Sequence, residues 1–157
     1  MEIVEAGTDD IATVAELRLE FLAAHRRVEP SSFSEEFAAT TEAFLRRHAE
    51  AGSARSWFAL ADGLPVGLVT MLLLDLAPRP EDVSAAEGFL INMYVRPACR
   101  RRGIGAALLT TCVATAAELS LRRLVLYATE DGRPLYEAAG FEPSSSWMEL
   151  QFTAFEC

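Results

Sequence analysis

VRPACRRRGIGAALL, residues Val95–Leu109, is the segment from which the rest of the chain can be read. A mostly apolar run, Phe89 to Val95, leads into it with the composition of a strand, and Pro97, which has no amide hydrogen to donate, ends that strand. Arg100, Arg101 and Arg102 follow, and Gly103 and Gly105 then open an apolar pattern at helical spacing. From Gly88 through Ala117 there is no Asp or Glu, while Arg96 and the three arginines supply four positive charges. The whole chain carries −9 and this window +4, so the remainder carries −13. A cationic window placed where a helix begins is what a polyanion site requires. Helix N-termini expose unpaired N–H groups and the positive end of the dipole. Glycines remove the Cβ atoms that would hold a phosphate away from those groups.

Absent residues narrow the nucleotide class. A Walker-type phosphate loop needs a lysine after its second glycine, and this chain has no lysine. A dinucleotide fingerprint needs a third small residue three positions after Gly105, where Leu108 stands. What remains is Arg-x-x-Gly-x-Gly, Arg100 to Gly105, between a strand and a helix. With Tyr-Val-Arg-Pro at Tyr94–Pro97 before it and DGRPLYEAAGF at Asp131–Phe141 after it, the chain resembles the GNAT superfamily of N-acetyltransferases. The two motifs stand in that family's order and spacing.

Composition fits one globular domain spanning 1–157: 51% of residues are hydrophobic and 24% charged. An acidic chain lacks the basic face that nucleic acid demands. The acidity would suit a cationic acceptor such as an amine, or serve solubility alone. Three cysteines without paired spacing argue against a disulfide framework or zinc site, with Cys112 expected in the core and Cys99 an incidental loop residue beside the arginines. His25 and His48 fall near predicted helix ends, where a cationic side chain favours the dipole, and metal binding is not expected. No run suggests a signal peptide or a membrane span, since Leu64–Leu76 is too short and carries Asp75. The expected compartment is a reducing cytoplasm.

Along the chain, Glu2–Ala6 reads as a strand, and a helix starting after Gly7–Asp10 runs to about Arg27. Glu29–Ser32 breaks it. A second helix starts at Ser34 and ends near Gly52, with Phe37, Ala38, Phe44 and Leu45 as its apolar side. Trp57–Ala61, Asp62-Gly63 and Leu64 onward form a hairpin, and Leu68–Leu74 is apolar enough to be covered on both faces. Ala77–Ala86 is the longest irregular stretch. The central strand is Gly88–Arg96, and the helix from Gly103 to about Leu119 carries a core stripe of Ile104, Leu108, Cys112, Ala116 and Leu119. Arg122–Ala128 reads as the next strand, a short helix holds Leu135 and Tyr136 between Pro134 and Gly140, and Trp147–Phe152 reads as the last clear strand. The three residues from Phe155 to Cys157 are too few to decide on a further one. The order β-α-α-β-β-β-α-β-α-β indicates a mixed α/β (α+β) sheet with helices on both sides. The resemblance implies a mostly antiparallel central sheet of six to seven strands flanked by about four helices.

The resemblance also implies a chemistry: acetyl transfer from acetyl-CoA, a cosubstrate, to a primary amine, with a small molecule as the expected acceptor. Main-chain amides of Arg100, Arg101, Arg102, Gly103, Ile104, Gly105 and Ala106 would bind the pyrophosphate, and the arginine side chains would reach phosphates. An amide among Met93, Tyr94 and Val95 would polarise the thioester carbonyl, and the same strand would pair with the pantetheine arm. Tyr136 would protonate the leaving thiolate, because a phenol with a pKa of about 10 carries its proton at neutral pH. Many relatives place a Glu on the central strand as general base, whereas Phe89 and Ile91 stand here. Glu87, of the same parity, could act through water, and Asn92 could orient the acceptor or a water, or be a satisfied buried amide. Glu130 and Asp131 are further candidates, and an amine arriving unprotonated needs no strong base. A protein or peptide N-terminal acetyltransferase, or a non-catalytic acyl-CoA-binding regulatory domain, are the competing readings. Neither the acceptor nor the acyl length is written in the sequence, and a homodimer is allowed but not required.

Overall fold

Asp62 and Gly63 adopt φ angles of +51° and +76°. Two successive left-handed residues give a two-residue hairpin turn the twist of its flanking strands. They join β2 (Ala54–Ala61) to β3 (Leu64–Asp75), the antiparallel pair around which a computed structural model builds the sheet. The structure describes residues 1–81, 83, 86–144, 148 and 150. Before the hairpin come β1 (Glu2–Glu5), α1 (Ile11–Arg26) and α2 (Glu35–Glu50). After it come β4 (Ala86–Val95), α3 (Ile104–Glu118), β5 (Leu124–Val125) and α4 (Arg133–Ala138). The chain forms two compact units that divide between Tyr127 and Ala128.

In the first unit the strands lie in the order β1-β2-β3-β4-β5, antiparallel except for the β4–β5 pair. Phe58, Leu68 and Tyr94 pack against Ile11, Val14, Ala15 and Leu17 of α1 and Leu45 of α2 in one buried cluster. Gly67 turns to the other face, where a Cβ would stand 3.2 Å from Leu108 and 3.3 Å from Ile104 of α3. Strand alternation thus puts α1 and α2 on one face and α3 on the other. Ser34 caps α2 by accepting from the Phe37 amide at 3.1 Å. No described helix is long and apolar enough to cross a membrane.

Several expectations need correction. The mixed sheet and four α-helices are as expected, with five strands among the described residues, and β5 spans Leu124–Val125 in place of Arg122–Ala128. Its parallel pairing with β4 covers Gly88↔Leu124 and Phe89↔Val125, preceded by Arg122 N–H to Ala86 O at 2.9 Å and Gly88 N–H to Arg123 O at 3.0 Å. Most of Trp147–Phe152, and all of Phe155–Cys157, lie outside the described residues. In α3 the stripe is Ile104, Leu108, Leu109, Cys112, Thr115 and Ala116; Leu119 is the exposed C-cap. Phe37 leaves the α2 core face to pack on Phe33, with ring centroids 5.2 Å apart.

Candidate functional site

Pro97–Cys99 forms one 3-10 turn, after which Arg101 (φ +61°) and Gly103 (φ +78°) bend the chain twice through the left-handed region before α3 starts. Such a conformation is rare for an arginine and natural for glycine. The Arg100 amide is spent inside the turn on Pro97 O at 3.3 Å, and Ala107 N–H makes the first intrahelical bond, to Gly103 O at 3.0 Å. The amides from Arg101 to Ala106 find no acceptor among the described residues. A Cβ at Gly103 would meet nothing within 4 Å, so the space beside these amides is open. Arg100 differs from its neighbours: its Nε donates to Val95 O at 2.9 Å, which ties the turn to the end of β4. Arg101 and Arg102 remain exposed.

β4 presents a second row of free groups. Its register against β3 slips between Leu68↔Tyr94 and Thr70↔Ile91, so Asn92 and Met93 together face Val69. Asn92 forms this bulge with φ +58°, a conformation asparagine tolerates better than most residues. Beyond the bulge, Arg96 N–H donates to Val66 O at 2.9 Å, so Arg96 and, by alternation, Tyr94 direct their main chain to β3. Met93 and Val95 point the opposite way, to an edge where β5 pairs only with Gly88 and Phe89. Tyr94 is therefore no donor to that edge. Its ring lies in the core 6.2 Å from Phe21, and burial, then Glu20, raises its phenol pKa. The Met93 and Val95 amides, the Arg100 tie and the open amides of the turn make one continuous strip.

On the α1 face of the bulge a polar chain crosses the sheet. Arg18 Nη1 donates to Asn92 Oδ1, and Asn92 Nδ2 donates to Thr70 Oγ1 at 3.2 Å. The Thr70 hydroxyl shares a hydrogen bond with Ser56 Oγ at 2.8 Å. Asn92, Thr70 and Ser56 are buried, and desolvation lowers the Arg18 pKa from its ordinary value. Sequence reasoning weighed Asn92 but missed Arg18, Thr70 and Ser56. The available signal was faint: a lone hydroxyl residue in each of two apolar runs. Nearby, Arg96 holds Glu20 with two bonds, at 2.6 and 3.0 Å, which fixes the end of β4 to α1.

Glu87 does not stand as a water-facing carboxylate. It is 3% exposed, its Oε1 lies 2.7 Å from Arg123 Nε and 3.7 Å from Arg122 Nη2, and it clamps β4 to the start of β5. The Arg123 approach is a charge contact without the alignment of a hydrogen bond, which leaves Oε1 and Arg122 Nη1 without one. In the second unit, Tyr136 sits in α4, buried, with its ring edge-on to Phe141 at 5.9 Å. Burial raises its phenol pKa, so it holds its proton at neutral pH. Glu130 and Asp131 are exposed. Cys112 is fully buried and its thiol is pushed up to about 12 by desolvation, while Cys99 is half-buried. Among the described residues no group of three His, Cys, Asp or Glu side chains could hold a metal ion.

The model of the acetyltransferase (GNAT) family matches residues 16–141. No curated protein matches the chain. Among solved structures, a predicted acetyltransferase with acetyl-CoA from Clostridium acetobutylicum is 22% identical with a TM-score of 0.83, covering 96% of this chain and 95% of its own. A GCN5-related N-acetyltransferase from Ralstonia eutropha JMP134 is 26% identical with a TM-score of 0.76, covering 96% and 97%. An aminoglycoside acetyltransferase from an uncultured soil metagenomic sample is 20% identical with a TM-score of 0.72, covering 97% and 98%.

Proposed function

The chain belongs to the acetyltransferase (GNAT) family, and from that premise we propose that it carries an acetyl group from acetyl-CoA directly to a primary amine of a small molecule. The observation that supports this most is the strip of unpaired amides: Arg101–Ala106 at the start of α3, joined through Arg100 to the open edge of β4. A diphosphate fits the first part, because unpaired N–H groups, the helix dipole and two exposed guanidiniums converge there. A pantetheine arm fits the second, since amide groups along it match the edge-facing amides of Met93 and Val95 as an added strand would.

In this reading the amine nitrogen attacks the thioester carbonyl, whose oxygen gains negative charge and is held by an amide at Met93 or Val95. Such a preorganised donor contributes about 3 kcal/mol to a transition state. The C–S bond then breaks, the thiolate sulfur takes the Tyr136 proton, and the ammonium-derived proton leaves to solvent. Glu87 is not assigned the base; its two arginine partners give it the work of holding β5. The family match runs through residues 16–141, so it includes Tyr136.

Thiol release from acetyl-CoA against a panel of amines, peptides and amino acids tests the proposal. Release with small amines is expected, and Gly103→Val, which forces a branched side chain to φ +78°, should weaken acetyl-CoA binding at least tenfold. Binding of acetyl-CoA without release across the panel would replace transfer by a regulatory role, and release confined to peptides would make the acceptor a protein N-terminus.

A further inference from the structure

Arg18 is an exception among the arginines of this chain. Arg46, Arg55, Arg96, Arg122, Arg123 and Arg133 each lie within 4.0 Å of a glutamate. Arg26, Arg27, Arg47, Arg79, Arg100, Arg101 and Arg102 are exposed. Arg18 is half-buried beside the fully buried Leu17, and among the described residues it has no carboxylate partner. The chain holds 23 Asp and Glu residues, so acidic side chains are not scarce. Among the described residues its one hydrogen bond is to Asn92 Oδ1, a neutral acceptor that satisfies one of five N–H donors. Arg18 is only half-buried, so part of its guanidinium reaches the surface.

A partly desolvated guanidinium without a counter-charge is costly in the free protein, and burial does lower the Arg18 pKa. Structures retain such a group where a ligand supplies the missing anion, and the planar fork of arginine matches a carboxylate with two parallel bonds. Position indicates which ligand. Arg18 bonds the side chain of the bulge residue, Asn92, and the next residue, Met93, aims its amide at the open edge where the carbonyl would be held. The phosphate-binding turn lies at the far end of the strand, on α3, whereas Arg18 is on α1. We propose that Arg18 receives the carboxylate of the acceptor, so that the amine acetylated here belongs to an amino acid or a closely related amino carboxylate. The Thr70–Ser56 pair holds Asn92, and Asn92 holds Arg18 in its aim.

This inference rests on the transferase reading, and two measurements separate them. The first is thiol release from acetyl-CoA with α-, β- and γ-amino acids and their matched carboxamides. The wild-type protein is expected to favour at least one acid over its amide by tenfold or more in kcat/KM. Arg18→Gln should erase that preference through KM for the acceptor, with KM for acetyl-CoA moved less than twofold, and Arg18→Lys should restore part of it. Equal acid-to-amide ratios in wild type and Arg18→Gln, or a wild-type preference for amides, would overturn the inference while leaving transfer intact. The second needs no turnover: the thermal midpoint of the CoA-saturated protein is followed with the same amino acids. A rise in wild type that Arg18→Gln abolishes upholds the carboxylate site even if no acetyl group moves, and no rise with any acid counts against it.

Discussion

Asn92 Nδ2 lies 3.2 Å from Thr70 Oγ1, and the carboxamide oxygen at the other end of the same group accepts from Arg18. One side chain therefore serves three needs: it tolerates φ +58° at the bulge, satisfies a buried hydroxyl and directs a guanidinium. The bulge in turn decides which main-chain groups of β4 face the open edge, because the residues after it reverse their sense relative to those before.

Asn92→Ala removes both hydrogen bonds and puts an alanine in the left-handed region, whereas Asn92→Gly removes the bonds alone. Leaving buried polar groups unpaired costs about 1–3 kcal/mol, and the backbone adds about 1 kcal/mol for alanine. Urea unfolding should therefore rank wild type above Gly and Gly above Ala. Equal stability of the two variants would show that the φ angle carries no strain.

Glu87→Gln tests the clamp. Oε1 is 2.7 Å from Arg123, and that arginine side chain is 41% exposed, so solvent screens part of the pair. Discounted for this, the loss should be about 1–3 kcal/mol by denaturant titration, with the β4–β5 junction losing amide-exchange protection first. The pH dependence of kcat should keep its shape. Disappearance of its acidic limb in the variant would instead give Glu87 the part of a base.

Cys112 offers a check on the core that is independent of any reaction. Burial pushes its thiol up to about 12 from the ordinary 9.0. The raised value means that the folded state holds this proton more tightly, so the contribution is complete below pH 9 and is lost as pH rises toward about 12. At pH 8 an aromatic disulfide reagent should titrate native wild type and native Cys112→Ala equally, and should find one thiol fewer in the variant only after denaturation. A difference between the native proteins would show that Cys112 is accessible.

Much of this arrangement was legible in the chain because its signals are local. Gly103 and Gly105 after three arginines mark a helix start, and Asp62-Gly63 marks a hairpin; each depends on neighbours a few residues apart. The polar chain across the sheet was not legible, since Arg18 meets Asn92 across 74 positions and Ser56 meets Thr70 only through strand register. The partners of Glu87 were hidden for a related reason. Parity says which face a side chain takes, but not that Arg122 and Arg123, which follow α3 in the chain, come to it. The edge-facing amides of Met93 and Val95 follow from a bulge whose trace in sequence is one asparagine inside an apolar strand.

Tyr136→Phe bears on the chemistry itself. The phenol is raised above its ordinary value of 10.0 by burial, so the protonated, donating form should persist as pH climbs through 10 and be lost only above it. If Tyr136 protonates the departing sulfur, wild-type kcat should hold to about pH 10 and then fall, and general acid catalysis of this kind is worth about a hundredfold or more. The phenylalanine variant should lose that factor in kcat at neutral pH and lose the alkaline fall with it, while KM for acetyl-CoA stays within twofold. Replacement of a hydroxyl whose ring packs edge-on to Phe141 keeps the apolar contact, so a fall in stability should not confuse the result. Turnover equal to wild type across this pH range would leave Tyr136 as packing alone.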